Sequence, residues 1–318
     1  MRKILQDRSF RLSILLTLIF FGTGITFLLL GLADYSWILF VLLPVVLGIS
    51  IGALPDHKWA MRGAVLAAVI ALFFLLAAGL SGFVCVLMTL PFIIPLMFLG
   101  SVLTHLANRY KELKNVDNLP VLLLPLIPFL IAAPAEHMVK KDKEEVVSVQ
   151  TVQVFAYTPE QVYETIKSVD TLQGEKPWLM YLDLPVPYKC VLEKEEVGGR
   201  RTCYFTGGNL SRGDFGGGTI EEKIVELQKA KVLRMDVTEY NLIGRKWLGF
   251  REAAYYFDAV GPDSCKLTRI TTYTSQLTPR VYWEPLEKLG IRQEHDYVFA
   301  NLASDLLHRY GKKPGIGE

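Results

Sequence analysis

Long apolar blocks separated by short polar stretches run from Leu12 to Ala135, and charged residues are scarce among them. A helix that crosses the roughly 30 Å hydrocarbon core of a bilayer needs about 20 mainly apolar residues, because its backbone must satisfy its own hydrogen bonds there. The pattern predicts an all-α transmembrane bundle of about five helices. They correspond to Leu12 to Leu32, Trp37 to Leu54, Gly63 to Leu80, Phe83 to Leu106 and Leu119 to Ala135.

The last block is the least regular of the five. It contains Pro120, Pro125, Pro128 and Pro134, and an interior proline removes a backbone donor and kinks a helix. A re-entrant or interfacial segment is therefore the alternative to a fifth crossing. No block carries a charged residue near its middle, so the pattern argues against a transporter or pump.

Basic residues predict how the bundle is oriented, because loops rich in Lys and Arg stay on the cytoplasmic side. Lys and Arg residues precede the first block and follow the second and fourth blocks, whereas the turns near Asp34 and Ser81 have none. With five crossings the N-terminus lies inside a cell (inner) membrane and the C-terminal part lies on the periplasmic or outer side. Four crossings would reverse that side, and Lys140, Lys141 and Lys143 disagree with the five-crossing prediction. The supporting residues are Arg2, Lys3, Arg8, Arg11, Lys58, Arg62, Arg109, Lys111 and Lys114.

From Lys140 onward charged and apolar residues interleave, as in a globular domain, so we predict a transmembrane domain at 1–139 and a second domain at 140–318. The net charge of +2 says little about partners, because the two parts differ so much in composition. Alternation predicts a strand from Glu144 to Tyr157. The capped start at Thr158-Pro159-Glu160-Gln161 predicts a helix directly after it.

Six further strand-like runs follow, separated by turns rich in glycine. They lie at Tyr188 to Glu195, Arg200 to Phe205, Thr219 to Leu227, Val232 to Tyr240, Arg251 to Val260 and Cys265 to Ser275. A second capped start at Thr278-Pro279 predicts a helical region to Tyr310, with a break near Pro285 and Gly290. The order is strand, helix, antiparallel hairpins and a long final helix.

This order resembles the helix-grip fold of the START and birch-pollen-allergen superfamily, also called SRPBCC, over about Val146 to Arg309. Four segments resemble its membrane-anchored bacterial branch, often labelled polyketide cyclase-like. They are Val154 to Tyr163, Arg201 to Phe205, Asp236 to Glu239 and Tyr282-Trp283. The resemblance implies an α+β domain in which a curved antiparallel sheet surrounds the C-terminal helix and an apolar cavity that takes lipids, sterols or polyketides.

Strand alternation groups the candidate ligand-binding residues, although it does not decide which face looks inward. If these faces look inward, they form an aromatic cavity with two arginines, which suits a ligand with an apolar body and an anionic head. The alternative is that the arginines are solvated or pair with Glu221 or Glu222. The candidates are Arg201, Cys203, Phe205, Tyr255, Phe257, Arg269, Thr271, Tyr273, His295 and Phe299.

His295 stands between Glu294 and Asp296 and could act as an acid or base in such a cavity, or it could simply be packed or exposed. In the segment Asn241 to Phe250, aromatic and basic residues occur together, as at a bilayer interface. We predict that Trp247, Leu248 and Phe250 contact the membrane or cover the cavity. A loop folded back onto its own core is the alternative.

Cysteine and glycine residues add little chemistry. Cys190, Cys203 and Cys265 lack the spacing of a metal site. Cys190 and Cys203 lie on neighbouring predicted strands and could bond if the register opposes them, but buried thiols are the favoured prediction. The glycines from Gly207 to Gly218 indicate a hairpin connection rather than a phosphate-binding loop. We expect no metal, no cofactor and no nucleic-acid partner.

The pattern and the resemblance lead to one main functional hypothesis. It is the binding or transfer of a hydrophobic, lipid-like small molecule by a membrane-anchored domain, whose partners are the bilayer and that molecule. One alternative is an aromatase- or polyketide cyclase-like enzyme in which His295, Tyr273 and Arg269 steer proton transfers. The other is a ligand-sensing interaction module that signals to a protein partner of unknown kind.

Overall fold

A computed structural model describes residues 7–77, 83–110, 118–140, 145–182, 184–207, 217–243 and 247–311. These residues form two compact units, one mainly helical and ending near residue 140, the other made mainly of the residues from 145 onward. Several sequence predictions lie outside the described residues. They concern Arg2, Lys3, Ser81, Lys111, Lys114, Lys141, Lys143 and the glycines from 208 to 216.

The helical unit contains six helices, among the residues that the structure describes. They are α1 at Arg8–Leu29, α2 at Ile38–Gly52, α3 at His57–Ala77, α4 at Phe83–Tyr110, α5 at Leu119–Leu123 and α6 at Ile127–Lys140. Helix α2 begins with a π-helical turn over Ile38–Leu42, and a 3₁₀ turn over Leu124–Leu126 joins α5 to α6.

Four helical segments are long and apolar enough to cross a membrane: α1, α3, Phe83–Arg109 and the run Leu119–Val139. The proline-rich block, predicted to end at Ala135, continues to Val139. Three of its prolines occupy first turns, where no backbone hydrogen bond is lost. The block from Trp37 to Leu54 is the short one. At 1.5 Å per residue α2 is about 22 Å long, less than a typical hydrocarbon core.

Helix α2 packs against α4 at the distance of backbone contact. A Cβ atom on Gly48 would overlap the carbonyl of Met97, and one on Gly52 would overlap the carbonyl of Ser101. Leu47 of the same helix is fully buried. The short helix therefore has protein neighbours along its length, which is how small residues bring membrane helices close together.

The second unit is built on one seven-stranded antiparallel sheet with the order β1-β7-β6-β5-β4-β3-β2. The strands are β1 at Glu145–Phe155, β2 at Val186–Leu192, β3 at Arg200–Thr206, β4 at Gly218–Gln228, β5 at Val232–Leu242, β6 at Leu248–Gly261 and β7 at Ser264–Ser275. Helices α7 at Pro159–Ile166 and α8 at Trp178–Leu182 connect β1 to β2, and α9 at Arg280–Tyr310 follows β7. The predicted curved antiparallel sheet and long final helix are confirmed, and this arrangement is consistent with a helix-grip fold.

Local sequence signals account for both capped helices of this domain. The Thr158 side chain accepts from the Gln161 backbone and the Gln161 side chain accepts from the Thr158 backbone, so α7 begins with the predicted capping box. Helix α9 is continuous, and the predicted break is wrong. Pro285 lies near the start of the helix, so the only backbone bond that it removes is one to the carbonyl of the exposed Val281.

Three apolar clusters of buried residues lie among the described residues of the domain, and two of them contain or adjoin predicted site residues. The first apolar cluster includes Phe155, Tyr163, Leu233, Met235, Tyr255, Phe257, Leu267, Phe299, Leu302 and Leu306, and so joins the sheet to α7 and the later part of α9. The second apolar cluster consists of Val147, Val149, Leu248, Tyr273 and Ile291, with Trp247 and Phe250 partly buried against it.

Cys190 and Cys203 face each other across the β2–β3 pair and form a disulfide bond. The favoured prediction of two buried thiols is therefore wrong. The register that decides it depends on the turn between these strands, where Gly198 has a φ of 91° and a Cβ on Gly199 would overlap the carbonyl of Lys194. Cys265 is a free, buried thiol.

Candidate ligand-binding site

The ten predicted site residues lie on the face of the sheet that packs against α9, or on α9 itself. Nine are buried, and Phe205 is half-buried. Strand register brings site residues of neighbouring strands together, because Arg269 pairs with Thr151 of β1 on one side and Tyr255 of β6 on the other. The faces that alternation had grouped do look inward. Whether these residues contact a ligand stays a prediction, and Cys203 is occupied by its disulfide.

Arg201 forms one buried ion pair at the β3–β4 side of the domain. Its Nη1 lies 3.2 Å from Oε2 of Glu222, and its Nη2 donates to the carbonyl of Ile166 at 3.4 Å. Burial lowers the pKa of Arg201, but Tyr255 and Glu222 outweigh burial and raise it. Burial raises the pKa of Glu222 in spite of the two arginines nearby. One of the two alternatives for this arginine, a pair with Glu222, is therefore observed.

Arg269 forms a second ion pair, with a residue of α9. Its Nη2 lies 2.9 Å and 3.1 Å from the two carboxylate oxygens of Glu294. Sequence reasoning named Glu294 only as a neighbour of His295 and missed this role. The signal was present in the spacing, since Glu294 follows the buried Ile291 by three residues and precedes the buried Val298 by four, as on one helix face.

Tyr255 joins the two pairs. The guanidinium carbons of Arg201 and Arg269 lie 5.6 Å and 5.5 Å from the centroid of its ring, within the range of cation–π contact. The pKa of Glu222 responds to Arg201, Arg269 and Glu294, so all four charges belong to one electrostatic group. We call Arg201, Glu222, Tyr255, Arg269 and Glu294 the charged belt.

The charged belt has more donors than acceptors. Three of its buried nitrogen atoms, Nε of Arg201 and Nε and Nη1 of Arg269, have no hydrogen-bond partner among the described residues. Buried polar groups in proteins are almost always paired with protein, water or a bound molecule. The belt can therefore donate hydrogen bonds to an additional acceptor.

His295 is fully buried beside the belt, and both ring nitrogens are engaged. Its Nδ1 and Nε2 each lie 2.8 Å from a threonine hydroxyl, Thr151 on one side and Thr271 on the other. Burial, with a further contribution from Arg269, lowers the pKa of His295 to about 2. The ring is therefore neutral and packed, which was the alternative to a role of His295 as an acid or base. This geometry adds no support to the enzyme hypothesis.

The inward residues beyond the belt are polar at the end of β7. Tyr273 donates its hydroxyl to Oε2 of Glu287 at 3.1 Å, and Ser275 donates to Oε1 of the same carboxylate at 2.6 Å. Glu287 is another α9 residue that the sequence analysis did not select. It extends the line of carboxylates that α9 directs toward the sheet.

Trp247, Leu248 and Phe250 all touch the second apolar cluster. Leu248 is buried, and the rings of Trp247 and Phe250 are partly buried against it. The alternative of a segment folded back onto its own core describes these three side chains. Their contact with a membrane stays a prediction, and residues 244–246 between the strands lie outside the described part of the chain.

Within the described part of the chain, no group of three or more His, Cys, Asp and Glu residues is placed to hold a metal ion.

No family model and no curated protein matches the chain. Among solved structures, the Zhui aromatase/cyclase from Streptomyces sp. R1128 matches with 14% identity and a TM-score of 0.35, over 52% of this chain and 98% of that one. Norcoclaurine synthase from Thalictrum flavum matches with 16% identity and a TM-score of 0.35, over 54% and 92%. Protein CV1439 from Chromobacterium violaceum matches with 13% identity and a TM-score of 0.34, over 50% and 96%. At these values no residue role or activity is carried over.

Proposed function

We propose that the helix-grip domain binds or transfers a hydrophobic, lipid-like small molecule at a membrane to which the N-terminal helices anchor it. The observation that carries this proposal is the interior of the domain. A charged belt with unused donors lies between two apolar clusters on the concave side of the sheet, an arrangement typical of sites for small molecules that are mainly apolar.

The membrane anchor is supported by the surface of the helical unit as well as by helix length. Large apolar side chains point outward from three of the long helices, for example Leu18 of α1, Phe74 of α3 and Phe98 of α4. In a water-soluble unit such residues would form the kind of extended exposed apolar patch that monomeric proteins avoid. Lipid is the environment that suits them.

We place the protein in the cell (inner) membrane with the C-terminal domain on the periplasmic or outer side. The Cys190–Cys203 disulfide supports this side, because disulfides persist in oxidising compartments and are rare in the cytosol. The placement requires α2 to cross. Fusions of alkaline phosphatase and of a fluorescent protein to the C-terminus test it, since only the phosphatase should be active outside. The reverse result would put the domain in the cytoplasm.

Native mass spectrometry and lipid extraction of the detergent-purified full-length chain test the binding proposal. We expect one hydrophobic molecule to accompany the protein, and we expect Tyr273→Leu to reduce its occupancy because this ring is part of the second apolar cluster. Tyr256→Leu is the matched control, since Tyr256 lies on the outer face of β6 and is not fully buried. Equal occupancy in both variants, or no bound molecule at all, would contradict the proposal.

A further inference from the structure

The unused donors of the charged belt are concentrated on one residue. Of the three side-chain nitrogens of Arg269, Nη2 is bound to Glu294, whereas Nε and Nη1 are buried without a partner among the described residues. Arg269 is only 9% exposed, so bulk water does not account for these donors. These two nitrogens lie on different edges of the guanidinium, so each can donate to one oxygen of a carboxylate or of another anion.

The charge of the belt favours an anion with a single negative charge. With both glutamates ionised, two arginines and two carboxylates balance. Burial raises the pKa of Glu222, whereas the nearby Arg201 and Arg269 favour its charged form. An acceptor with at most one negative charge therefore suits the belt, whereas a doubly charged phosphate monoester would leave more buried negative charge unpaired.

The second apolar cluster begins beyond Thr271 and Thr151, the polar inward residues closest to Arg269. On β7 the inward residues after Arg269 are Thr271 and then Tyr273, and on β1 the inward residue next to Thr151 is Val149. Successive inward residues on a strand are about 7 Å apart. A molecule whose charged group reached Arg269 would therefore meet the second apolar cluster within a few carbon atoms.

We propose that the charged belt is the head-group site for a single-chain amphiphile with a carboxylate, of the fatty-acid class. The carboxylate accepts from the free Nη1 of Arg269, on the edge that Nη1 shares with the Nη2 bound to Glu294, and the hydrocarbon chain lies along the second apolar cluster. This inference rests on the proposed binding function and specifies the chemical class of the ligand. Glu294 is then an internal competitor, because it already occupies part of the same guanidinium.

The competition gives two variants with opposite effects. Arg269→Gln removes the guanidinium and should weaken carboxylate binding about 10- to 100-fold, the range that a charge-assisted hydrogen bond supplies. Glu294→Gln removes the competing charge and should strengthen it. Arg234→Gln is the matched control, since Arg234 is an arginine of the same sheet whose side chain is 41% exposed and pairs with surface glutamates.

The experiment measures binding of dodecanoate and of dodecanol to the full-length chain in lipid nanodiscs by native mass spectrometry. The two probes share a chain length and differ in the head group. We expect the wild type and Arg234→Gln to prefer dodecanoate, Arg269→Gln to lose that preference, and Glu294→Gln to increase it. A purely structural role of the Arg269–Glu294 pair would weaken binding in both belt variants.

The possible outcomes separate the two proposals. Equal binding of both probes, unchanged in the belt variants, would overturn the head-group site and leave the hydrophobic binding function intact. Binding of neither probe would contradict both proposals. If Arg269→Gln does not fold, Glu294→Gln decides alone, because dodecanoate binding that is unchanged or weaker in this variant refutes competition for Arg269.

Discussion

Replacing Glu222 by alanine removes the only carboxylate that contacts Arg201 in the described structure. The two side chains are almost completely buried, and 3.2 Å separates Nη1 of Arg201 from Oε2 of Glu222. After the substitution the guanidinium retains the carbonyl of Ile166, at 3.4 Å, and the ring of Tyr255. Bulk water does not reach a site with so little exposure, and a single trapped water would not supply the lost negative charge.

Removing one member of a buried ion pair typically costs about 3–5 kcal/mol of folding free energy, because the other charge stays buried without compensation. For a domain of this size each kcal/mol corresponds to roughly 2–4 °C in Tm. We therefore expect Glu222→Ala to lower the Tm of the domain by roughly 6–20 °C. Replacing both partners, as Arg201→Met with Glu222→Leu, should recover most of the loss, since no charge is then stranded.

The free thiol of Cys265 provides an assay for this domain within the full-length protein. Burial raises the pKa of Cys265 to about 12, so the folded thiol reacts slowly with a fluorogenic maleimide and unfolding exposes it. Cys85, the other free cysteine, is replaced by alanine in all variants so that it gives no signal. Thermal ramps in detergent then report the Tm of the domain.

Glu226→Ala is the control, because Glu226 lies on the same strand in a pair whose side chains are about 40% exposed. An exposed pair contributes about 0–1 kcal/mol, so the expected loss is at most a few degrees. If Glu222→Ala lowered the Tm no more than Glu226→Ala, the reasoning on the buried pair would be refuted. A double variant as unstable as Glu222→Ala would show that shape, not charge, dominates.

Three further predictions concern other parts of the domain. Replacing both Cys190 and Cys203 by alanine should cost about 3 kcal/mol, as expected for a loop of this length, and the Tm should then be insensitive to reductant. Burial raises the pKa of Glu195, but hydrogen bonds from Lys167 and other donors outweigh burial and lower it to about 2. The stability that Glu195 contributes is therefore present above the usual pKa of a glutamate and is lost as the pH falls toward 2. Glu195→Gln should remove this loss of Tm at acid pH. The NMR signals of His295 should not shift between about pH 5 and 8, where an ordinary histidine titrates, and a titration there would contradict the buried neutral ring.

Much of the domain could be predicted from local patterns. Alternation found all seven strands, and the cap at Thr158 found the start of α7, because both signals act between residues close in the chain. Alternation also grouped the inward-facing residues correctly. It could not assign the direction of each face, which depends on where α9 packs.

The partners of the inward arginines were only partly predictable. Glu221 and Glu222 were named as possible partners of the two arginines, and the register opposes Arg201 to Glu222. Glu294 was missed because its approach to Arg269 depends on how α9 is rotated against the sheet, which no short sequence pattern encodes. The disulfide likewise depends on one turn, which sets the register of β2 and β3.

The helical unit shows the limits of hydropathy more clearly. Prolines made the last block look doubtful, but most of them lie where a helix tolerates them, whereas the second block, which contains only Pro44, gave the shorter apolar helix Ile38–Gly52. Length and composition describe each block separately. The contact of Gly48 and Gly52 with α4 arises only in the assembled unit.

The disulfide between β2 and β3 also reports whether a given molecule has folded and met an oxidant. Cys190 and Cys203 meet only after the two strands have paired, and the bond forms only where an oxidant reaches them. With the proposed periplasmic or outer placement, a non-reducing gel of whole cells, with free thiols blocked before lysis, would therefore report both export of the domain and folding of its sheet. Molecules that remained inside or exported molecules that misfolded would keep both thiols.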